Sequence, residues 1–276
     1  MKAQSGRLSV GLAAAGATRV AYGQLRRRPP VEARMWRRTN YAGRGVELYG
    51  GLAAAAGAAT AVAAARGVAL RTRFAAVGAA LAAGACGAYD DQHGSPAERG
   101  FGAHLKALRE RRFTSGVVKL LGIGAAGLAA GALLKADPAD QVLTAVVIAG
   151  TAHAVNLVDM RPGRAAKAVI AVGAPWLLRR GPAALLAAAP VGAAAAVLRD
   201  DVSERTMLGD AGAHALGAAL GSAIAVANGR TGLVLHAAAL VAMTVAGDRI
   251  SAGKRLWGAP GVRHVDSWGR LAHPYG

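Results

Sequence analysis

Aromatic residues, cysteine and acidic residues are all scarce in this 276-residue sequence, and each scarcity excludes a class of protein. Phe, Trp and Tyr make up 4% of the chain, too few to supply the stacking surfaces that bind single-stranded nucleic acid. The single cysteine, Cys86, excludes a framework of intramolecular disulfides. Asp and Glu number 15 against 33 Lys and Arg, so the formal net charge is +18. Because the basic residues lie between apolar stretches and not along one stripe, we predict no nucleic-acid partner.

Apolar residues are abundant: they form 54% of the chain, and the mean hydropathy is positive at +0.31. Apolar stretches of membrane-spanning length, built mostly from Ala, Gly, Val and Leu, recur along the chain. The predicted spans are residues 6–22, 49–66, 73–89, 115–134, 139–156, 167–179, 182–198, 211–227 and 231–247. We therefore predict an all-α, polytopic transmembrane bundle of about nine spans, forming one integral membrane domain over residues 1–276. Small residues facing lipid would also allow a second copy to approach closely, which favours a homodimer.

The distribution of Lys and Arg predicts the orientation of the bundle. Most of them lie in connections that fall on one side of the membrane, around residues 23–48, 90–114, 157–167, 199–210 and 248–276. Because cytoplasmic loops carry the excess of positive charge, this side is predicted to be cytoplasmic. The expected location is the plasma membrane, with residues 248–276 as a basic cytoplasmic tail.

Four carboxylates lie at the predicted cytoplasmic ends of the spans. Asp90 and Asp91 follow the third span, Asp159 follows the fifth, and Asp210 opens the eighth. Taken singly, each could neutralise a nearby arginine. Carboxylates near lipid are costly unless they are paired, hydrated or bound to a cation. Four at matching depth, one of them three residues after Asn156, therefore predict a shared site.

Phosphoryl transfer is the chemistry that fits such a site. Mg²⁺ prefers oxygen ligands and is usually held by one or two carboxylates together with substrate phosphates, so Mg²⁺ is the expected cofactor. Basic residues nearby could hold a diphosphate, and the candidates include Lys119, Arg161 and Arg164. His104, in the basic loop after the third span, is a further candidate for substrate contact.

Several segments carry a resemblance to one family. They are Arg-Gly-Val-Glu-Leu-Tyr-Gly-Gly at 44–51, Asp-Asp-Gln-His-Gly at 90–94, Arg-Gly-Phe-Gly-Ala-His-Leu-Lys-Ala-Leu at 99–108, Thr-Ser-Gly-Val-Val-Lys at 114–119, Asn-Leu-Val-Asp at 156–159 and Met-Leu-Gly-Asp-Ala-Gly-Ala at 207–213. In this order they resemble the signatures of the polyprenyl-phosphate sugar-1-phosphate transferases, glycosyltransferase family 4. The resemblance covers roughly residues 37–225.

The resemblance implies an activity, two substrates and a role for each motif. Family members transfer a sugar-1-phosphate from a UDP-sugar to a polyprenyl phosphate at the cytoplasmic membrane face, and so initiate synthesis of a cell-envelope glycan. The implied roles are an essential acidic pair for Asp90 and Asp91, direct Mg²⁺ ligation for Asp210, a metal and nucleotide pocket for Asn156 and Asp159, and phosphate contact for Lys119.

Two other functions remain open on the sequence. The family carries a histidine-rich loop, whereas this chain has only the isolated His264 and His273 in its tail. Arg-Pro-Gly-Arg at 161–164 also replaces the acidic, glycine-rich continuation of the family. These departures allow a catalytically inactive relative that binds polyprenyl lipid or scaffolds envelope enzymes. A transporter would require inverted repeats and charges near mid-membrane, and the sequence displays neither.

Overall fold

The protein is described here by a computed structural model that covers residues 2–30, 32–94, 109–110, 114–247 and 257–271. Ten α-helices lie within these residues, in the order α1 (Lys2–Arg27), α2 (Tyr49–Ala64), α3 (Leu70–His93), α4 (Ser115–Leu134), α5 (Pro138–Val158), α6 (Arg164–Leu177), α7 (Pro182–Val202), α8 (Gly209–Ala227), α9 (Arg230–Val245) and α10 (Pro260–Ser267). A short 3-10 helix (Ala33–Trp36) precedes a two-stranded sheet of β1 (Arg37–Thr39) and β2 (Gly45–Glu47).

Helices α1 to α9 coincide with the nine apolar stretches that the sequence predicts, and the mostly helical fold is confirmed. Four of them, α4, α5, α7 and α8, are long and apolar enough to cross a membrane. Helices α2 and α9 are apolar but have only 16 residues each. The four long helices indicate a membrane protein, whereas the total of nine spans stays a prediction.

The outward faces of several helices carry large apolar side chains. Leu12 on α1 is 72% exposed, Phe74 on α3 is 65% exposed, and Leu235 on α9 is 66% exposed. Exposed apolar patches that extend over several helices are unfavourable in water and are typical of surfaces that contact lipid or another protein. The outer surface therefore agrees with residence in a membrane.

Helix α8 lies at the centre of the bundle and packs against α2, α3, α5 and α7. Its residues are buried almost without interruption from Gly209 to Ala225, and most are Gly or Ala. A Cβ on Gly217 would lie 2.6 Å from the Cα of Ala152 on α5, closer than real Cβ atoms come to other heavy atoms. The small residues thus allow backbone-to-backbone contact, the packing that joins helices where water does not drive association.

A small hairpin joins the segment before α2 to the connection between α7 and α8 by hydrogen bonds. The sequence does not predict this hairpin. Strands β1 and β2 pair antiparallel, and Glu47 forms a further bridge with Thr206. The Thr206 hydroxyl donates to the Glu47 carbonyl at 2.8 Å and accepts from the Gly50 N–H at 2.8 Å. The hairpin therefore lies beside the start of α8.

Part of the predicted cytoplasmic tail docks on the N-terminal turn of α6. The Arg164 guanidinium donates two hydrogen bonds to the carboxylate of Asp266 in α10, at 2.8 and 2.9 Å, and Arg270 also donates to it. The ring of Trp257 lies 3.5 Å from the Arg164 guanidinium. Burial raises the pKa of Asp266, but the hydrogen bonds from Arg164 and Arg270 lower it by more, so the net pKa lies below its usual range.

The contact between α2 and α8 gives a first prediction. A Cβ on Gly51 would lie 1.8 Å from the Leu208 carbonyl oxygen, so Gly51→Ala must push α2 and α8 apart. We expect the free energy of unfolding to fall by about 1–3 kcal/mol, measured by thermal melting in detergent. Gly78→Ala on α3 is the matched control, because no atom lies within 4 Å of the added carbon. Equal melting temperatures for the two variants would contradict the packing described.

The docked tail gives a second prediction, which concerns pH. Because the pKa of Asp266 is lowered in the folded protein, its ion pairs contribute fully above the usual aspartate pKa and are lost as the pH falls below it. Asp266→Asn should therefore expose the tail at neutral pH, with proteolysis of the C-terminus about tenfold faster or more. Asp137→Asn, which removes a surface ion pair with Arg230, is the control. Proteolysis of the tail that is independent of both pH and the Asp266 substitution would refute this account.

Candidate functional site

The last turn of α3 is joined to the first turn of α8 by the carboxylate of Asp91. Its two oxygens accept hydrogen bonds from the backbone N–H groups of Asp210, at 3.0 Å, and Ala211, at 2.9 Å. The first N–H groups of a helix have no partner within the helix and attract negative charge. Burial raises the pKa of Asp91 to about 6, even though these hydrogen bonds act to lower it. Asp91 therefore holds the beginning of α8, and with it Asp210, in place.

Gly209 allows this contact for two reasons. Its φ is +60°, in the left-handed region that other residues seldom adopt. A Cβ at this position would also lie 3.1 Å from each carboxylate oxygen of Asp91 and 2.9 Å from Leu48. The glycine in the segment Met-Leu-Gly-Asp is thus required both for the turn into α8 and for the approach of Asp91.

Lys119 bridges two of the predicted carboxylates. Its Nζ donates to Asp90 at 2.7 Å and to Asp210 at 2.5 Å. All three side chains are mostly buried, since their exposed fractions are 15% for Lys119, 19% for Asp90 and 25% for Asp210. Thr114 caps α4 by accepting from the Val117 N–H at 3.2 Å, which defines where the helix begins and so where Lys119 lies. The bridge draws α3, α4 and α8 together at one end of the bundle.

Asp159 lies at the same end, directly after α5. Its N–H donates to the carbonyl of Asn156 at 3.0 Å, which turns the chain out of the helix. Its carboxylate lies beside the backbone of Gly209. Burial raises the pKa of Asp159 well above its usual range, and the negative charges of Asp201, Asp210 and Asp91 raise it further. The structure therefore brings together the four carboxylates that the sequence assigns to one site.

Two charged residues at this end were missed by the sequence analysis. Asp201, in the last turn of α7, is 2% exposed, and its Oδ2 has no hydrogen-bond partner among the described residues. Arg38 in β1 lies near enough to Asp91 for its charge to lower the pKa of that carboxyl. Asp201 meets the criterion used for the other four acids, because it ends a predicted span on the cytoplasmic side. No pattern in the sequence indicated Arg38, because its position near Asp91 depends on the hairpin, which the sequence does not predict.

A small cavity of about 120 Å³ opens beside Asp159 and Asp201. Arg161 and Glu204 also line it, and the Arg161 guanidinium lies 5.3 Å from the centre of the Tyr41 ring. Arg161, one of the predicted phosphate contacts, is thus next to the carboxylates.

Arg164 is not brought to the carboxylates. The Arg164 side chain, which the sequence assigns to substrate binding, is 5% exposed and is directed to Asp266 and Trp257. In this arrangement it anchors the tail, and its contact with a substrate stays a prediction. His104 lies outside the described residues.

The residues at this site fit a divalent cation that is shared with a substrate. No group of three His, Cys, Asp or Glu side chains in the described ranges is arranged to bind a metal unaided. Mg²⁺ needs only one or two protein carboxylates when phosphate oxygens supply the other ligands. The pKa of Asp159 is raised beside other carboxylates and Asp201 has an unpaired buried oxygen, so negative charge is in surplus on this side of the site. A cation would neutralise that surplus.

Comparison with known proteins adds no family assignment: no family model matches the sequence, and no curated protein matches it. The resemblance to the sugar-1-phosphate transferases therefore rests on the motifs themselves. The geometry of the site is the independent ground for a functional proposal.

The surplus of carboxylates gives a third prediction. Mg²⁺ should raise the melting temperature of the purified protein in a concentration-dependent way, because a cation that binds only the folded state stabilises it. Asp201→Asn and Asp210→Asn should each weaken the response by about tenfold or more in Mg²⁺ concentration. Asp137→Asn, at the opposite end of α5, should respond as the wild type does. A response of equal size in all four proteins would show that Mg²⁺ acts elsewhere.

Proposed function

We propose that this protein transfers a sugar-1-phosphate from a UDP-sugar to a polyprenyl phosphate, an initiating step in the synthesis of a cell-envelope glycan. One observation carries the proposal: Asp90, Asp91, Asp159 and Asp210, from three separate helices, meet at one end of the bundle, with Lys119 between two of them. A buried group of acids with a lysine and a possible cation position is suited to phosphoryl transfer between two anionic substrates.

In the proposed reaction, an oxygen of the lipid phosphate replaces the bridging oxygen of the diphosphate on the β-phosphorus of the UDP-sugar. A terminal oxygen of the polyprenyl phosphate attacks the β-phosphorus of the UDP-sugar. The bond from that phosphorus to the bridging oxygen of the diphosphate breaks, and UMP leaves with the electron pair. The products are UMP and a polyprenyl diphosphate-sugar. Both substrates are anionic, so the protein must supply positive charge where they meet.

The residues divide this work between them. Asp210 and Asp159 would hold Mg²⁺, with Asn156 beside them, and bound Mg²⁺ neutralises charge on the transferred phosphoryl group. Asp91 is a positioning residue, because its carboxylate binds the backbone of Asp210 and not the open side of the site. Asp90, which is paired with Lys119, would orient the lipid phosphate.

Positively charged residues would bind the phosphates. The candidates are Lys119, within the carboxylate group, and Arg161, at the adjoining cavity. Arg38 adds positive charge from the hairpin side, near Asp91. These three cations come from different parts of the fold: α4, the connection between α5 and α6, and β1.

The proposed orientation in the membrane depends on which end of the bundle carries the carboxylates. Helices α1 to α9 would each cross the plasma membrane, with the carboxylates on the cytoplasmic face among the most basic connections. The docking of α10 on Arg164 supports a cytoplasmic tail, because α6 begins at the same end as the site. A UDP-sugar is a cytoplasmic metabolite, so this orientation suits the donor.

One observation favours the second candidate, a catalytically inactive relative that binds polyprenyl lipid or scaffolds envelope enzymes. Lys119 is already paired with Asp210, the residue that would ligate Mg²⁺. In an inactive relative the lysine would replace the cation permanently.

The activity test separates the two candidates and is the fourth prediction. The protein is purified in detergent with polyprenyl phosphate, Mg²⁺ and a panel of UDP-sugars, and UMP release is measured. Asp90→Asn and Asp210→Asn should each lower the rate by about 100-fold or more, because they remove charge at the reacting groups. Asp137→Asn, at the far end of the bundle, should retain the wild-type rate. Absence of UMP release with every donor, with polyprenyl phosphate still bound, would support the inactive relative.

A further inference from the structure

A large cavity lies at the end of the bundle opposite to the carboxylates. It has a volume of about 1120 Å³, opens to the surface and is bordered by the beginning of α1, the end of α2 and the connection between α6 and α7. Helix α2 links the two ends, since Gly51 packs beside Leu208 next to the carboxylates and Ala64 lines the cavity. The helix has 16 residues and is about 24 Å long, so the cavity is separate from the candidate functional site.

Four arginines line this cavity: Arg7, Arg66, Arg179 and Arg180. Among the described residues, none of those that line it is acidic. Arg7 is half-buried and donates to the carbonyl of Leu177, so its guanidinium is held at the wall. The cavity therefore concentrates positive charge that no lining carboxylate neutralises.

Other basic residues at the same end include one with acidic partners, Arg230. Arg230 contacts Asp137 at 2.6 Å and Asp140 at 2.7 Å, and Arg71 donates to the carbonyl of Ala132 at 2.9 Å. The lack of acidic neighbours is thus a feature of the cavity and does not extend to this whole end of the molecule.

The turn between α6 and α7 places two of the arginines. Gly181 has a φ of +81°, which lets the chain reverse, and Pro182 then starts α7. Arg179 and Arg180 immediately precede this turn, and Ala184 in the first turn of α7 also lines the cavity. The N-terminal end of α7 adds partial positive charge on the same side.

Apolar residues also line the cavity. They include Val10 and Ala13 of α1, Ala61 of α2 and Leu185 of α7. Leu178, at the rim, is 81% exposed. A small soluble anion would use only the guanidinium groups, whereas a ligand with an anionic head and hydrocarbon chains would match both parts of the surface.

We propose that this cavity binds an anionic phospholipid. The phosphate of the headgroup contacts the guanidinium groups of Arg66, Arg179 and Arg180, and the acyl chains lie against the apolar wall and Leu178. Guanidinium groups bind phosphate oxygens through paired hydrogen bonds, and basic clusters at a membrane surface attract anionic lipids. The proposal does not depend on the reaction at the other end of the bundle.

Lipid binding to the full-length protein in detergent tests the proposal. Mixed micelles that contain phosphatidylglycerol or phosphatidylcholine are titrated, and bound lipid is counted by native mass spectrometry. We expect phosphatidylglycerol to bind in preference to phosphatidylcholine. The double variant Arg179→Gln/Arg180→Gln should lower the affinity for phosphatidylglycerol by about tenfold or more. Arg71→Gln, at the same end but outside the cavity, should leave that affinity unchanged.

Three outcomes would overturn the proposal. They are equal binding of the two lipids, an unchanged affinity in the double variant, and displacement of phosphatidylglycerol by inorganic phosphate at similar concentration, which would indicate a site for a soluble anion. If the double variant does not fold, Arg66→Gln is tested instead. Arg66 is exposed in a connection between helices, so its substitution should not disturb the fold. An affinity for phosphatidylglycerol equal to that of the wild type in Arg66→Gln would then refute the proposal.

Discussion

Backbone contact between α8 and its neighbours is the constraint on which the rest of the structure depends. A Cβ on Gly212 would lie 2.5 Å from the Cα of Gly51 in α2, and one on Gly87 would lie 2.3 Å from the Asp210 carbonyl oxygen. Because α3 approaches α8 at Gly87, Asp91 one turn later can reach the first N–H groups of α8. Small residues at the start of α8 and at its contacts with α2 and α3 thus set the distances between the charged groups at this end of the bundle.

The electrostatics of the carboxylate group follow from that close packing. Asp91 is stabilised by the start of α8, and Asp90 and Asp210 share Lys119. Asp159 and Asp201 lie beside them. The negative charge of Asp201 makes it less favourable to bury Asp159 in its ionised form. Breaking a buried pair or adding an unpaired charge costs several kcal/mol. The folded protein therefore maintains a local deficit of positive charge, which is the condition for binding a cation together with a phosphate ligand.

The sequence predicts the helices and the meeting of four carboxylates well, and both successes have the same cause. Apolar stretches define the helices, and the charge bias between connections places Asp90, Asp159 and Asp210 at one depth. The rotation of a helix about its axis, which decides which side chains face the site, is harder to predict from these patterns. Neighbouring residues on a helix point about 100° apart, so Asp200 reaches Arg19 while Asp201 faces the site.

Long-range side-chain partners are harder still to predict. Arg164 follows Arg161 by three residues and carries the same charge, yet its partner Asp266 lies 102 residues further along the chain. The two ends of the bundle show why such partners matter. Where carboxylates are gathered, a phosphate can bind only through a cation or a lysine held between them. Where arginines line a cavity without carboxylates, a phosphate can bind the protein directly. One small-residue bundle therefore carries opposite charge arrangements at its two ends: carboxylates around Asp210 at one end and arginines around the cavity at the other.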